Sequence, residues 1–310
     1  MIGLAARRIW HLFAKSLRKD FQVAFQVKKV EDYGQILSLY PRIYMYKIAA
    51  SDLDGTLLTS EHQILPFTKQ VLTQLHSQGT DFIFATGRHH VDVAHMRELL
   101  GIPAFMITSN GARVHNCENE IIFKRNIAPE VIAGMIKMLQ SDQEIQIHLY
   151  RNDDWLISKE DPNNPCTQEN FSYGLFDINN PPLENIAKIF IKHQDQNHEK
   201  LVIWEDKMKA AFPGQAHITF SSPNCLEMMG AGVSKGHALD AIAKMKGYAL
   251  KDCIAFGDGM NDFEMLSMAG KGLVMESAHH KVKAALPSNE IIGHCDDQAV
   301  AHYLVKHLLK

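Results

Sequence analysis

Two carboxylates stand two residues apart in Asp52-Leu53-Asp54-Gly55-Thr56-Leu57, directly after the apolar run Tyr46-Lys47-Ile48-Ala49-Ala50. A buried strand that delivers acidic groups into a glycine turn makes poor structure and useful chemistry. Backbone N–H groups exposed where a strand gives way to a tight turn can cradle an anion. The two aspartates repel each other unless a cation sits between them, so they point to a hard, oxygen-liganded metal such as Mg2+. Asp52 is then suited to act as a carboxylate nucleophile. Asp54 is suited to act as general acid to the leaving group and as base for water. A solvated Asx turn would use the same residues, and this motif alone leaves both readings open.

Three further segments carry residues of matching chemistry. Phe82-Ile83-Phe84-Ala85-Thr86-Gly87-Arg88 is an apolar strand ending in a hydroxyl and a glycine, and Thr86 Oγ1 and the Gly87 N–H can donate to a phosphate oxygen. A strand-to-helix loop with Thr86 as N-cap satisfies the same geometry. Lys235, in Gly232-Val233-Ser234-Lys235-Gly236, can neutralise a transferring phosphoryl group, although a solvated lysine is the commoner use of such a position. No Gly-x-x-x-x-Gly-Lys-Ser/Thr is present, which excludes nucleotide binding by that loop. Finally, Cys253-Ile254-Ala255-Phe256-Gly257-Asp258-Gly259-Met260-Asn261-Asp262 ends a strand with two aspartates four residues apart. With a helix starting near Met260, both can face one point beside its positive end. Asn261 can reach a phosphate oxygen.

Taken in order, Asp-x-Asp-Gly-Thr, Thr-Gly-Arg, Lys and Gly-Asp-Gly-x-Asn-Asp resemble the haloacid dehalogenase superfamily of phosphotransferases. Ala85-Thr86-Gly87-Arg88, Thr108-Ser109-Asn110-Gly111-Ala112 and Gly257-Asp258-Gly259-Met260-Asn261-Asp262 are similar to its Cof-type phosphatases. The likeness extends to the pyridoxal phosphate and sugar phosphatase branch through Gly87-Arg88-His89-His90-Val91-Asp92-Val93 and Gly232-Val233-Ser234-Lys235-Gly236-His237-Ala238-Leu239. It covers the chain from about Met45 onward. The resemblance implies that Asp52 is the nucleophile and Asp54 the acid/base. It makes Asp52, Asp54 and Asp258, supported by Asp262, the Mg2+ site. The Leu53 N–H, Thr86, Gly87, Lys235 and Asn261 would hold phosphate, and Arg88, Asn110, Gly111, Tyr150 and Arg151 are the candidate substrate contacts. The implied reaction is hydrolysis of pyridoxal 5′-phosphate or sugar phosphates. A phosphomutase or phosphosugar transferase is the alternative, because all share an aspartyl-phosphate.

Continuous apolar strands alternate with helices after Met45: strand 46–51, helix 66–77, strand 82–85, helix 90–100 and strand 105–108. After the lysine come helix 235–246, strand 253–256, helix 261–269, strand 272–275 and helix 298–309. This is the pattern of an α/β fold with a Rossmann-like parallel sheet covered on both faces, with sites at the carboxyl ends of its strands. Asp54 to Thr86 leaves room for a helix and a strand, whereas Thr86 to Lys235 spans 149 residues. Residues 126–220 are surplus and read as an inserted α+β cap that closes over the site and excludes water, between core segments 45–125 and 221–310. Val131–Leu139 is a helix candidate and Ile145–Tyr150, Trp155–Ser158, Ile186–Ile191 and His217–Phe220 are strand candidates. Asp161–Pro165 and Asn179–Pro182 would be loops. His148, Tyr150, Arg151, Asp154 and Trp155 cluster there, with Tyr150 and Trp155 also suited to the cap core.

The 310 residues are 46% hydrophobic, enough for one large or two modest cores. No run of about eighteen apolar residues exists, so no membrane span is expected. Five cysteines without Cys-x-x-Cys spacing argue for a reducing, cytoplasmic setting and against zinc or disulfide frameworks. The 17 histidines include the adjacent pairs His89-His90 and His279-His280, read as surface residues. Residues 1–44 carry eight Lys/Arg against three Asp/Glu, leaving 24 against 32 for the rest. We read this basic stretch as an unstructured extension, or a product of an upstream start, ahead of a membrane-surface helix or transit segment. A small phosphate ester is the expected partner. Nucleic acid is not.

Overall fold

A computed structural model of the chain describes residues 46–160 and 171–309. The expectations for residues 1–44 and for a loop at Asp161–Pro165 lie outside the described residues.

The described chain builds two sheets. β1 (Ile48–Ser51), β2 (Asp81–Ala85), β3 (Ala104–Thr108), β4 (Arg113–His115) and β5 (Ile121–Lys124) belong to the first sheet. β6 (Ile145–Arg151), β7 (Asp154–Ile157), β8 (Tyr173–Leu175), β9 (Ile186–His193), β10 (Ala216–Ser222) and β11 (Cys225–Gly230) form the second. The chain then returns to the first sheet with β12 (Cys253–Gly257), β13 (Lys271–Met275) and β14 (Glu290–Ile292). The helices, in chain order, are α1 (Pro66–Ser77), α2 (His90–Leu100), α3 (Pro129–Leu139), α4 (His198–Ala211), α5 (Lys235–Met245), α6 (Phe263–Met268), α7 (His280–Ala285) and α8 (Ala299–His307).

The first sheet runs β14-β13-β12-β1-β2-β3-β4-β5. From β14 to β3 every pairing is parallel. Side-chain alternation divides its core in two. Phe82, Phe84 and Phe256 point to one face, where Leu72, Leu75 and Leu304 of α1 and α8 cover them. Ile83, Ala85 and Ala255 point to the other, under Leu239, Ile242 and Met265 of α5 and α6. Burial on both faces is why these strands are apolar at nearly every position. This is the expected parallel core, to which β4 and β5 add an antiparallel hairpin at the edge. β5 (Ile-Ile-Phe-Lys) has all four residues exposed at the sheet edge, and its apolar run of three is too short and lacks the alternation that marks a strand.

The second sheet, β10-β11-β9-β6-β7-β8, is antiparallel except for β7 with β8. Ile147, Leu149, Ile189, Ile191, Leu226 and Met228 pack under α3 and α4. The intervening residues, His148, Tyr150, Lys188, Phe190, Lys192, Cys225 and Glu227, belong to the opposite face by the two-residue period of a strand. That face contributes the second wall of the site. Among the described residues no helix is long and apolar enough to cross a membrane.

Candidate active site

β1 delivers Asp52 at its carboxyl end, and the Asp52 N–H donates to the Phe256 carbonyl of β12 at 3.0 Å, which ties the two strand ends together. The chain then turns sharply, with Gly55 at φ 76°. A Cβ on Gly55 would stand 2.6 Å from Asp258 Oδ2, so only glycine lets the turn approach that carboxylate. Thr56 Oγ1 donates to Asp258 Oδ1 at 2.7 Å across the same gap.

Asp52, Asp258 and Asp262 offer carboxylate oxygens within 4.8 Å of one another. Lys235, at the start of α5 and fully shut off from solvent, donates to Asp52 Oδ1 at 2.7 Å and to Asp262 Oδ1 at 2.6 Å. Asp262 Oδ2 accepts from the N–H groups of Asp258 and Gly259, which fixes the loop after β12. Two of the three carboxylates thus share one ammonium, and Asp258 is left with the Thr56 hydroxyl. Burial drives the Asp52 carboxyl well above the usual carboxylate range, and Asp262 and Asp258 add to this against Lys235. Burial likewise pushes Asp258 up to about 6, with Asp262 contributing. Burial would depress Lys235, but the two aspartates overcome it and raise the lysine above its ordinary value. The cluster is short of positive charge, and its donors are all oxygens. A hard divalent cation such as Mg2+ fits both properties.

Asp54 is not brought to this cluster, contrary to its expected place among the ligands. Its carboxylate is gripped by Arg88 through Nε at 2.7 Å and Nη2 at 2.6 Å, and by His62 Nδ1 at 3.0 Å. Burial works against ionisation there, yet the hydrogen bonds from Arg88 and His62 hold Asp54 well below the usual carboxylate range. His62 is raised in turn, chiefly by its hydrogen bond to Asp54. Arg88 also donates to Asp92 at 2.8 Å. A fork-shaped guanidinium one turn ahead of α2 captures the nearest carboxylates on geometry alone.

A cavity of about 420 Å³ opens over Asp52. Asp52, Asp54, Thr86, Gly87, Arg88 and Asn261 line it from the first sheet, and Tyr150, Trp155, Lys188, Phe190, Lys192 and Glu227 from the second. Leu53 buries its side chain in the core, leaving only its backbone for the site. Thr86 Oγ1 accepts from the Arg88 N–H at 3.1 Å. Thr86 is not the N-cap of α2: His89 is, through Nδ1 and the Val91 N–H. The helix after Asn261 begins only at Phe263, behind one tighter turn at Met260–Asp262.

Two candidate substrate residues lie elsewhere. Arg151 pairs with Asp154 across the β6–β7 turn, beyond an irregularity in the β6–β9 register that ends the alternation. Gly111 packs on α5, where a Cβ would meet the Ser234 carbonyl at 2.4 Å. Asn110 is buried behind the cavity, donating to Glu227 and accepting from Asn261. Lys188, Phe190, Lys192 and Glu227 were not anticipated. The signal was present: two lysines alternating with isoleucines in a strand otherwise fit for a core. The surface reading of His89-His90 is also corrected, since His89 is 1% and His90 8% exposed. They sit where α2 meets the β6–β7 turn, with His89 Nε2 at 2.9 Å from the Asn152 carbonyl and His90 Nε2 at 2.8 Å from Asp153.

A family model described as haloacid dehalogenase-like hydrolase matches residues 49–304. The HMP-PP phosphatase of Cronobacter sakazakii is 38% identical over 267 residues, covering 85% of this chain and 96% of that protein. The HMP-PP phosphatase of Escherichia coli O6:H1 is 36% identical over 268 residues, with 85% and 96% covered. Among solved structures, a haloacid dehalogenase-like hydrolase from B. subtilis superposes with a TM-score of 0.74 at 25% identity, covering 85% of this chain and all of that one.

Proposed function

We propose that this chain, which belongs to the haloacid dehalogenase-like hydrolases and is a phosphatase, hydrolyses small phosphate monoesters through a phosphorylated Asp52. One observation carries the reading: the convergence of Asp258, Asp262 and Lys235 on Asp52, which lines the floor of a two-walled cavity. Asp52, Asp258 and Asp262 would hold Mg2+, which would supply charge neutralisation to the phosphoryl group. The Leu53 and Gly87 N–H groups, Thr86, Lys235 and Asn261 would hold the phosphoryl oxygens. An Asp52 oxygen attacks phosphorus, the ester P–O bond breaks, and the leaving oxygen takes a proton from Asp54. Asp54 then deprotonates water, whose attack on phosphorus frees Asp52 and inorganic phosphate. Asp54 starts ionised, so its proton must come from a neighbour, and His62 lies within hydrogen-bond reach. Residues 126–230 act as the cap, which runs past the boundary at 220 read from the sequence because β11 (Cys225–Gly230) belongs to the second sheet.

For the substrate, Tyr150, Trp155 and Phe190 form an aromatic wall, which favours a planar heteroaromatic ester over a hexose. Pyridoxal 5′-phosphate fits that wall, with sugar phosphates as lesser substrates. Relatives that carry the name HMP-PP phosphatase put HMP-PP in the same screen. Phosphate release is to be measured over a panel of these esters, with Mg2+ and with EDTA. The heteroaromatic esters are expected to have the higher kcat/KM, and only with metal. A hexose phosphate ranking first would overturn the substrate assignment. Undiminished release in EDTA would overturn the metal site.

A further inference from the structure

Lys188 and Glu227 are 2% and 3% exposed, and they pair at 2.7 Å on the inner face of the second sheet. Lys188 Nζ reaches further, donating to the Gly87 carbonyl, and it stands 4.8 Å from the ring centroids of both Tyr150 and Phe190. Glu227 spends its other oxygen on Asn110, whose Nδ2 donates to Oε2. Asn110 Oδ1 then accepts from Asn261 Nδ2 at 3.1 Å. A chain of three side chains therefore runs from the second sheet to the loop after β12.

The direction of this chain is set at one end. An ionised carboxylate can only accept hydrogen bonds, whereas an asparagine amide accepts on one side and donates on the other. Glu227 forces Asn110 to turn its N–H2 toward the second sheet and its oxygen toward Asn261. Asn261 must in turn direct its N–H2 inward. One of those hydrogens goes to Asn110, which leaves the other for an anion in the cavity that Asn261 lines. Asn261 in the opposite orientation would present a carbonyl oxygen to an anion.

We propose that Glu227 is a positioning residue that fixes the hydrogen-bond polarity of Asn261 through Asn110, so that a donor and not an acceptor faces the phosphoryl group. The proposal rests on the phosphatase reading above. It also gives the second sheet a part in phosphate binding that does not depend on which ester is bound.

The test is a swap that conserves total charge. Glu227→Gln keeps an acceptor for Lys188 but turns an amide N–H2 toward Asn110, which reverses the chain. Asn110→Asp sets two carboxylates face to face. Made together, the two changes restore the order, because the introduced carboxylate accepts from both the new amide and Asn261. The probe is inorganic phosphate with Mg2+, its affinity read by calorimetry and as competitive inhibition of p-nitrophenyl phosphate hydrolysis. Glu227→Gln is expected to bind phosphate about 10- to 100-fold more weakly, the worth of one hydrogen bond to a charged group, and Asn110→Asp to weaken binding through its added buried negative charge. The double variant is expected to recover most of that loss. Thermal melts identify variants that fail to fold. Lys188→Met with Glu227→Gln, which leaves no unpaired buried charge and releases the new amide oxygen to accept from Asn110, is expected to keep the parent order and bind phosphate more tightly than Glu227→Gln alone. Losses that simply add in the double variant, or unchanged affinity in Glu227→Gln, would overturn the relay while leaving the phosphatase reading intact. A parent protein that neither binds phosphate nor releases it from any ester would overturn both.

Discussion

The ammonium of Lys235 is closed off from solvent and shared between Asp52 and Asp262, so its removal leaves buried carboxylates without their only close cation among the described residues. Breaking a buried pair in this way costs about 3–5 kcal/mol. Lys235→Ala is therefore expected to lower the melting temperature strongly in EDTA and less in Mg2+, besides slowing turnover. Differential scanning fluorimetry in the two buffers checks this, and equal losses in both would show that lysine and metal do not share a role. Asp52→Asn goes the opposite way. It relieves an acidic excess, so stability should hold or rise while p-nitrophenyl phosphate turnover falls by more than about 1000-fold. Turnover like that of the parent would exclude Asp52 as nucleophile. Arg88, a candidate substrate contact in the sequence, is committed in the structure to Asp54 and Asp92.

α2 and the β6–β7 turn meet through histidines that fold neutral. Burial depresses His115 to about 4 and His89 to about 2, and His115 and His90 stack at 4.8 Å between centroids. A histidine whose folded value is lowered binds fewer protons when folded than when unfolded. Its contribution is complete above about 6.5 and is lost as pH falls through 6.5 toward the folded value. Each of the two should cost about 1.4 kcal/mol per pH unit below 6.5 until its own folded value is reached. Melting temperature measured from pH 7.5 to 4.5 should fall with that onset. His115→Gln should flatten the decline, and an unchanged slope in that variant would place the acid sensitivity elsewhere.

Across the molecule, two sheets with separate cores supply opposite walls of one cavity, and the charge deficit lies on the first. A divalent cation that binds only the folded chain should stabilise it by about 2.7 kcal/mol at a hundred times its Kd. The melting temperature should therefore climb with Mg2+ concentration and return in EDTA, and a flat response would remove the metal site. A chain begun at Met45 retains every site residue and both sheets, and its turnover and melting temperature are expected to match those of the full chain. Loss of either would assign residues 1–44 a part in the folded core.

What the sequence determined is local and periodic. Apolar runs such as Phe82–Ala85 and Cys253–Phe256 had to be buried strands, helix 66–77 was readable from its apolar stripe, and the acidic turns at Asp52 and Asp258 marked strand ends suited to bind an anion and a cation. Such features follow from backbone periods and from residue chemistry within a few positions. What the tertiary structure decided is which charges meet. Asp54 turned to Arg88, Asp262 was shared with Lys235, and Asn110 was claimed by Glu227, because partners 34, 27 and 117 residues apart were brought within hydrogen-bond reach. Hydrogen bonds and ion pairs act over a few ångströms of space and carry no signature in chain separation. The second wall was hidden for the same reason: Lys188 and Glu227 became part of a site only once the two sheets had packed together.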